Sequence, residues 1–415
     1  MQLRKRYMEI VKSHGRIVGT ILFFFIFFHK TMERCYIYFI KKFVPVDKSI
    51  LVFRSMPDYS DNSRALTEYM VNNGYTNKYS IYFDVKDSDK YRNREESITF
   101  ISIKSKYGNY KLKYIRLLYT AGYLMSTHEM ILGRPIARKE QYLVRLWHGC
   151  SFKDRSSFDG KRKRVFDVAL VPGPLFVKTK AYFWDVDEKY ILPIGYPRYD
   201  WLRKIDPSAQ ALKESFKRNH DTKVVLWMPT FRIDKGGKYT ESNNITQFPL
   251  MKDNCKWIDL DRTCIDKNIV LIVKLHPFQM EYKIPFDSFS NIKQIDNQVF
   301  DESDIPMYKF IALTDALITD YSSIAVDYLI VNRPIAYTLD DFEEYKNTRG
   351  FVFDDPRIYM PGHHLYTFED LKGFLSDISE GEDPYLKNRQ QIFGKVISES
   401  ECFCSRILYQ LGITK

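Results

Sequence analysis

The chain is poor in cysteine, and its six cysteines follow no ligand pattern. No Cys-x-x-Cys pair and no zinc-ligand spacing occurs among them, which argues against a zinc-bound fold. We therefore expect a reduced, cytosolic catalytic portion. No pair of carboxylates stands at metal-ligand spacing either, so no cofactor is firmly implied, and a loosely bound Mg²⁺ is the one cation that this pattern leaves open.

Long apolar runs are lacking as well. An apolar block near the amino terminus, residues 17–28, covers twelve residues, whereas about 20 are needed to span a bilayer. The block has the charged lead and the length of a secretory signal, but no small-x-small cleavage site follows it. A second stretch, residues 36–40, is aromatic and ends at Lys41 and Lys42, as interfacial helices do.

Positive charge is concentrated at the same end of the chain. Residues 1–50 hold ten Lys/Arg and three Asp/Glu, a net of +7 out of +11 for the whole chain. We interpret residues 1–45 as a membrane-surface anchor that combines apolar insertion with attraction to anionic lipid. A helix buried on the protein body is the alternative. A nucleic-acid partner is not expected, because apolar runs interrupt the basic residues.

The length and the aromatic content predict more than one core. A chain of 415 residues with 16% aromatic residues is too long for a single ordinary core and too apolar for disorder. Alternating strand and helix patterns predict an α/β fold with two domains, residues 46–205 and 206–375. Residues 376–415 have helical spacing, and we expect these helices to pack back across the first domain.

The segment Thr319-Asp320-Tyr321-Ser322-Ser323 joins a buried-strand pattern to a helical one. A helix that begins there directs free N–H groups and its positive dipole end outward, and Ser322 and Ser323 add two donors. This predicts a phosphate site that includes Thr319, with an ordinary serine N-cap as the alternative. Asp327, a turn further along, could hold a ribose hydroxyl or brace the loop, and its spacing does not decide between them.

Three other strand patterns end in residues suited to phosphate or proton-transfer chemistry. The residues at these ends are Lys274 and His276 after 270–273, Thr230 and Arg232 after 224–228, and His148, Gly149 and Lys153 after 142–146. Open parallel sheets bind ligands at such ends. His148 is a candidate general base, because an imidazole with its ordinary pKa of about 6.5 can take a proton near neutrality. A histidine packed against Trp147 is the alternative for His148, and a capping histidine is the alternative for His276.

Several motifs in register resemble one family. They are Tyr59-Ser60-Asp61-Asn62-Ser63-Arg64, Trp147-His148-Gly149 with Lys153, Gly195-Tyr196-Pro197-Arg198 with Asp200, Pro229-Thr230-Phe231-Arg232, Lys274-Leu275-His276-Pro277, Thr319-Asp320-Tyr321-Ser322-Ser323 with Asp327 and Arg333-Pro334, and Arg349-Gly350-Phe351 with Phe353-Asp354. Their order and intervals resemble the CDP-glycerol glycerophosphotransferases of teichoic acid synthesis. The resemblance covers roughly residues 50–375, and several motifs together are far more specific than any one.

This resemblance implies a glycosyltransferase-B-like fold, with two Rossmann-like domains that face each other across a cleft. The first would be the acceptor domain and the second the nucleotide-donor domain. The resemblance makes His148 the catalytic base and puts His276 at the diphosphate. The substrate-binding residues would be Gly149, Lys153, Arg198, Thr230, Arg232, Lys274, Thr319, Ser322, Ser323 and Asp327.

Two departures from the family pattern concern the acceptor. Cys150-Ser151-Phe152-Lys153 stands where members commonly have Thr-Pro-Leu-Lys, and Pro361-Gly362-His363 stands where they have Pro-Gly-Pro. Both put acceptor identity in doubt and leave the donor site credible. The basic cluster at 161–164 could attract an anionic polymer, or it could be a solvated surface run.

The function that we predict is transfer of glycerol phosphate from CDP-glycerol to a hydroxyl of a membrane-linked acceptor, with release of CMP. The acceptor would be a lipid-linked or polymeric glycan, of the teichoic acid or capsule type, at the cytoplasmic face of the cell membrane. The alternatives are a ribitol-phosphate or other polyol-phosphate transferase, a nucleotide-sugar glycosyltransferase on the same fold, and a non-catalytic polymer-binding protein.

Overall fold

The computed structural model of the protein describes residues 7–8, 11–13, 15–104, 110–154, 165–229, 248–251, 254–275, 284 and 286–415. None of the helices found in those ranges combines the length and the hydropathy needed to cross a membrane.

Two parallel sheets organise the described chain. The strands of the first sheet are β1 (Asp47–Arg54), β2 (Ser80–Asp84), β3 (Ile98–Ile101), β4 (Ala121–Ser126), β5 (Tyr142–Arg145), β6 (Val168–Val171) and β7 (Ile191–Pro193). Those of the second are β8 (Lys223–Trp227), β9 (Ile269–Lys274), β10 (Ile292–Ile295), β11 (Ala316–Thr319), β12 (Ile335–Thr338) and β13 (His363–Leu365). We call the parts built on these sheets the first lobe and the second lobe.

The helices lie between and around these strands. They are α1 (Arg16–Phe43), α2 (Asp61–Asn72), α3 (Leu112–Thr120), α4 (Val177–Trp184), α5 (Tyr199–Leu202), α6 (Pro207–Phe216), α7 (Asn254–Asp266), α8 (Asn297–Ser303), α9 (Met307–Ile311), α10 (Ser323–Asp327), α11 (Phe342–Thr348), α12 (Phe368–Glu380), α13 (Leu386–Val396) and α14 (Phe403–Gln410).

Both sheets have the same strand order. The first is β3-β2-β1-β4-β5-β6-β7 and the second is β10-β9-β8-β11-β12-β13, so the second repeats the order of the first six strands. All strand pairs in both sheets are parallel; one example is β11 with β8, in which Leu317 lies opposite Leu226. This is the dinucleotide-fold order, whose ligand crevice lies at the carboxyl ends of the strands where the order reverses. The prediction of two α/β domains is confirmed, whereas the boundary near residue 206 stays a prediction.

The strands follow from their apolar runs. Every residue of β6, β9, β11 and β12 is buried, as expected for parallel strands covered on both faces. A single buried cluster then continues from the first lobe, where it includes Tyr199, into the second, where it includes Tyr321. The two lobes are therefore packed together by apolar contact as well as by hydrogen bonds.

The end of the described chain returns to the first lobe. Helix α12 packs on the second lobe through Leu371 and Phe374, but α14 docks elsewhere. The Asp200 carboxylate accepts hydrogen bonds from the backbone N–H groups of Phe403 at 2.7 Å and Cys404 at 2.9 Å. The expectation that helices of residues 376–415 pack back across the first lobe is confirmed for α14.

Helix α1 unites the two amino-terminal stretches in one element of 28 residues. Near its carboxyl end, Ile40 is buried in the first lobe beside α3. Further toward its start, Ile17, Ile21, Phe24 and Phe28, spaced three or four residues apart, are each more than half exposed. The buried-helix alternative therefore describes only the later part of α1.

Candidate functional site

The loop after β5 has positive φ angles, which few residue types other than glycine adopt readily. Trp147 has φ of +58° and Gly149 has φ of +135°, and the latter suits glycine because it has no Cβ. The side-chain amide of Asn62 donates to the Trp147 carbonyl at 2.7 Å. The loop at Trp147-His148-Gly149 is therefore a sharp turn that is held by Asn62 of α2.

His148 has a defined orientation in this loop. Its Nδ1 lies 3.3 Å from the Thr127 carbonyl oxygen, and a carbonyl can only accept, so Nδ1 carries the proton of this bond. In the neutral ring the lone pair then lies on Nε2. The His128 ring stacks on the His148 ring with centroids 4.1 Å apart, and the Trp147 ring lies at 4.0 Å on centroids. The Thr127 carbonyl and the two neighbouring rings therefore fix the orientation of the imidazole.

The loop after β5 also contacts the second lobe. A Cβ placed on Gly149 would lie 2.7 Å from Ser323 Oγ. Lys153 pairs with Phe351 as an antiparallel bridge, and Asp154 N–H donates to the Gly350 carbonyl at 3.0 Å. Motifs that are far apart along the sequence are therefore adjacent in the fold.

Ser322 and Ser323 begin α10 at this junction. Ser322 is the N-cap residue, yet within the described chain its hydroxyl accepts no capping hydrogen bond, so the geometry does not favour the ordinary-cap alternative. Both serines are half-buried. The preceding Tyr321 is fully buried against the rings of Tyr345 and Phe351, at centroid distances of 4.4 Å and 4.9 Å. These rings fix the turn that presents the two hydroxyls.

A buried charge network lies beside these loops and spans both lobes. Arg198 Nη2 donates to Asp327 Oδ2 at 2.5 Å, and Nη1 donates to Asp61 and to the His148 carbonyl. Asp327 also accepts hydrogen bonds from the hydroxyls of Tyr199 and Tyr308, each at 2.7 Å. These contacts favour the bracing alternative for Asp327, and they favour the same role for Arg198 over direct substrate contact.

The charges of this network depend on one another. Burial alone would lower the pKa of Arg198, but Asp327 and Asp61 outweigh burial and hold that pKa well above its ordinary value. Burial and the Asp327 charge together raise the pKa of Tyr199. Both tyrosines therefore stay protonated and donate, and the arginine stays charged.

Lys274 and Thr319 end strands β9 and β11, on either side of β8, and differ in their contacts. The Thr319 hydroxyl donates to the Met228 carbonyl at 2.8 Å and is fully buried, so it ties β11 to the end of β8. Lys274 is 7% exposed, and within the described chain no carboxylate lies at ion-pair distance from it. Burial lowers the pKa of Lys274, against the opposing pull of Asp296 and Asp301. A buried ammonium of this kind suits an anionic ligand.

Some predicted residues lie outside the described residues, namely His276, Thr230, Arg232 and the cluster at 161–164. Among the ranges that are described, no group of three or more His, Cys, Asp or Glu side chains could hold a metal ion.

Sequence reasoning missed several residues of the site. His128, Asn62, Asp61, Tyr199 and Tyr308 were given no role. A sequence signal existed for Asp61 and Asn62, because both belong to the 59–64 motif. In the structure Asp61 adopts φ of +55°. The two tyrosines carry no local signal, since their shared partner Asp327 is distant in sequence from Tyr199.

Two parallel sheets of dinucleotide-fold order, joined where the loop of an oriented histidine contacts a serine that begins a helix, are typical of a two-domain nucleotide-dependent transferase. The sequence profile of the CDP-glycerol:poly(glycerophosphate) glycerophosphotransferase family matches residues 36–410. The chain belongs to this family and is an enzyme that transfers glycerol phosphate.

Curated relatives agree with this membership. A teichoic acid poly(glycerol phosphate) polymerase of Bacillus spizizenii is 25% identical over 352 residues, 79% of this chain and 83% of that protein. A teichoic acid glycerol-phosphate transferase of Staphylococcus aureus is 24% identical over 381 residues, 85% and 90% of the two chains. A teichoic acid ribitol-phosphate primase of B. spizizenii is 26% identical over 269 residues, 60% of this chain and 64% of that protein.

Solved structures of the wall teichoic acid polymerase TagF share the fold. One superposes with a TM-score of 0.71 at 20% identity and covers 99% of this chain and 96% of its own. A variant of the same polymerase soaked with CDPG gives a TM-score of 0.70, also at 20% identity, over 99% of this chain and 97% of its own. At this identity the likeness concerns the fold alone.

Proposed function

We propose that this enzyme takes glycerol phosphate from CDP-glycerol and attaches it to a hydroxyl of a membrane-linked, teichoic acid-like or capsular acceptor, with release of CMP. The contact of Gly149 with Ser323 carries the proposal. Gly149 follows the oriented His148 in the first lobe, and Ser323 begins a helix in the second lobe, so the two motifs meet at this contact. A base and a phosphate site must be neighbours for in-line phosphoryl transfer.

The donor would lie against the second lobe. Ser322 and Ser323, with the first N–H groups of α10, suit the phosphates of the nucleotide, and Lys274 supplies a positive charge from the end of β9 in the same sheet. Thr230, Arg232 and His276 stay predictions for the same site, and Lys153 is proposed at the junction.

The chemical step needs one base and several fixed cations. His148 Nε2 takes the proton of the acceptor hydroxyl while that oxygen forms a bond to the phosphorus that bears glycerol. The bond from this phosphorus to the bridging oxygen breaks, and CMP leaves with the electron pair. Charge spreads over the phosphoryl oxygens in this transition state, so positioned donors and cations provide most of the stabilisation.

We place the enzyme at the cytoplasmic face of the membrane, bound through α1. Its exposed side chains Ile17, Ile21, Phe24 and Phe28 would enter the interface. Replacing Ile21 and Phe28 together by Asp is expected to reduce sedimentation with anionic vesicles. Ile205, which is 77% exposed outside α1, supplies the control Ile205→Asp, and equal binding by both variants would contradict the anchor.

The test of the base is His148→Ala. We expect loss of CMP release from CDP-glycerol, with nucleotide affinity by calorimetry nearly unchanged, because the imidazole acts on the acceptor. His220, whose ring is exposed on the second lobe, supplies the control His220→Ala. Transfer that survives in His148→Ala would remove its role as base.

A donor panel separates the remaining activities. The similarity to a ribitol-phosphate primase favours polyol-phosphate transfer as the second candidate. Purified enzyme and membranes are incubated with CDP-glycerol, CDP-ribitol and nucleotide sugars, and the released nucleotide and the elongated product are identified by mass spectrometry. CMP with CDP-glycerol supports the proposal, whereas a nucleoside diphosphate from a sugar donor would contradict it.

A further inference from the structure

Lys180 is a cation of the first lobe that lies close to the proposed base, His148. Lys180, in the middle of α4, directs its ammonium toward three aromatic rings. Nζ is 5.3 Å from the Trp147 ring centroid, 4.8 Å from that of Phe183 and 5.8 Å from that of Trp184. These are cation–π distances, and such faces orient an ammonium while leaving it charged.

The first of those rings also touches the base. The Trp147 and His148 ring centroids are 4.0 Å apart. Since Lys180 Nζ lies 5.3 Å from the same Trp147 centroid, it is no more than 9.3 Å from the centre of the His148 ring. Among the charged groups that act on the buried Cys150 thiol, Lys180 lowers the pKa most, against the larger effect of burial, which agrees with an ammonium beside this loop.

A neighbouring arginine is more deeply buried than the lysine. Arg145 also lies 5.3–5.4 Å from the rings of Trp147, Phe166 and Trp184, but only 4% of its surface is exposed. It supports the tryptophans from the protein interior. Lys180 is half-buried and approaches the same rings from α4.

An acceptor made of glycerol phosphate units has a fixed separation between its hydroxyl and its own phosphorus. Five single bonds of about 1.5 Å join the two atoms, which gives roughly 6 Å when extended. The hydroxyl must lie about 3 Å from the base, and a charge-assisted hydrogen bond to phosphate adds about 3 Å at the other end. A phosphodiester of the last acceptor unit therefore reaches a cation within 9.3 Å of the His148 ring.

We propose that Lys180 binds the phosphodiester of the terminal acceptor unit and so selects acceptors that already carry glycerol phosphate. This inference rests on the function proposed above and extends it to the acceptor side. Lys180 would bind substrate and leave the donor site untouched. A lysine that only packs on aromatic rings would stabilise α4 without regard to the charge of the acceptor.

The experiment compares two soluble acceptors with the same glycerol end, an alkyl phosphodiester of glycerol and the matching uncharged alkyl ether, with CDP-glycerol as donor. In Lys180→Gln we expect KM for the phosphodiester to rise about 10- to 100-fold, the loss of one charge-assisted hydrogen bond. KM for the ether and KM for CDP-glycerol should stay within about twofold, and Lys180→Arg should restore most of the loss. Lys178→Gln, at an exposed position of the same helix, is the matched control.

Each outcome decides something. CMP release by Lys180→Gln with an unchanged ratio of the two acceptor KM values would overturn this inference alone, and so would an equal effect of Lys178→Gln. Absence of CMP release by the wild-type enzyme with either acceptor would overturn the proposed function and this inference with it. Because both KM values come from one preparation, their ratio does not depend on the folded fraction of a variant.

Discussion

Replacing Arg198 by Met should weaken the whole junction between the lobes. The change keeps an unbranched apolar side chain but removes the guanidinium that lies between Asp61 and Asp327. Asp327 is fully buried and, among the described residues, would retain the hydroxyls of Tyr199 and Tyr308 as its side-chain donors. An uncompensated carboxylate would then remain inside the protein.

The magnitude follows from this burial. Breaking a buried ion pair by removing one partner destabilises by about 3–5 kcal/mol. For lobes of this size each kcal/mol shifts Tm by about 2–4 °C, so the melting temperature should fall by roughly 6–20 °C. In the double variant that adds Asp327→Asn, an amide still accepts from the tyrosines and no charge is stranded, so part of the loss should be recovered.

The assay is thermal unfolding followed by circular dichroism at fixed pH and protein concentration. Arg389→Met is the control, because Arg389 is equally buried but pairs with Asp383, which is more exposed than Asp327. It should lower Tm less and leave CMP release per folded enzyme unchanged. A Tm for Arg198→Met within about 3 °C of wild type, or a double variant no more stable than the single one, would refute the reasoning.

Further substitutions test single contacts. Gly149→Ala should lower kcat for CMP release about 10- to 100-fold, because it forces a Cβ against Ser323. Gly373→Ala, at a position of α12 with open space, is the control and should raise stability by about 0.5–1 kcal/mol. An equal change of kcat in both variants would contradict the contact. Lys274→Met should weaken donor binding measured by calorimetry. In the wild type the donor affinity should fall as pH rises through the pKa of Lys274, which burial lowers, because the ammonium charge is then lost. The variant should not show this fall in affinity. Between this pKa and that of the unfolded chain, the folded chain holds fewer protons than the unfolded one. Wild-type stability, measured by denaturant unfolding, should therefore rise with pH in that window, and the variant should lack the rise. A wild-type donor affinity that does not change with pH would count against Lys274. Asp200→Ala should lower the stability by about 1–3 kcal/mol and speed limited proteolysis of residues 397–415. An unchanged cleavage rate would show that the two hydrogen bonds accepted by Asp200 do not secure α14.

The strand ends were accessible from sequence because parallel strands buried on both faces appear as uninterrupted apolar runs. The run before Lys274 ends with β9, and the run before His148 ends one residue after β5. The shared edge of each sheet explains why polar residues gather there.

Residue roles at the lobe junction were much less accessible. Asp327 could have held a ribose or braced a loop, and only packing of the lobes supplied its partners Arg198 and Tyr199. The helix after Ser323 also ends sooner than its apolar pattern indicates, because the chain tightens into a 3₁₀ turn at Tyr328–Ile330. Such contacts arise from the apposition of two sheets, which local periodicity does not encode.

The docking of α14 on the first lobe has a consequence for biosynthesis. Phe403 covers the Tyr199 ring at a centroid distance of 5.2 Å, yet it is translated after the entire second lobe. At about 5–20 residues per second, roughly 200 residues take some 10–40 s to emerge. During that interval the nascent first lobe exposes an apolar surface on the ribosome, where chaperones that bind such surfaces would have time to engage it.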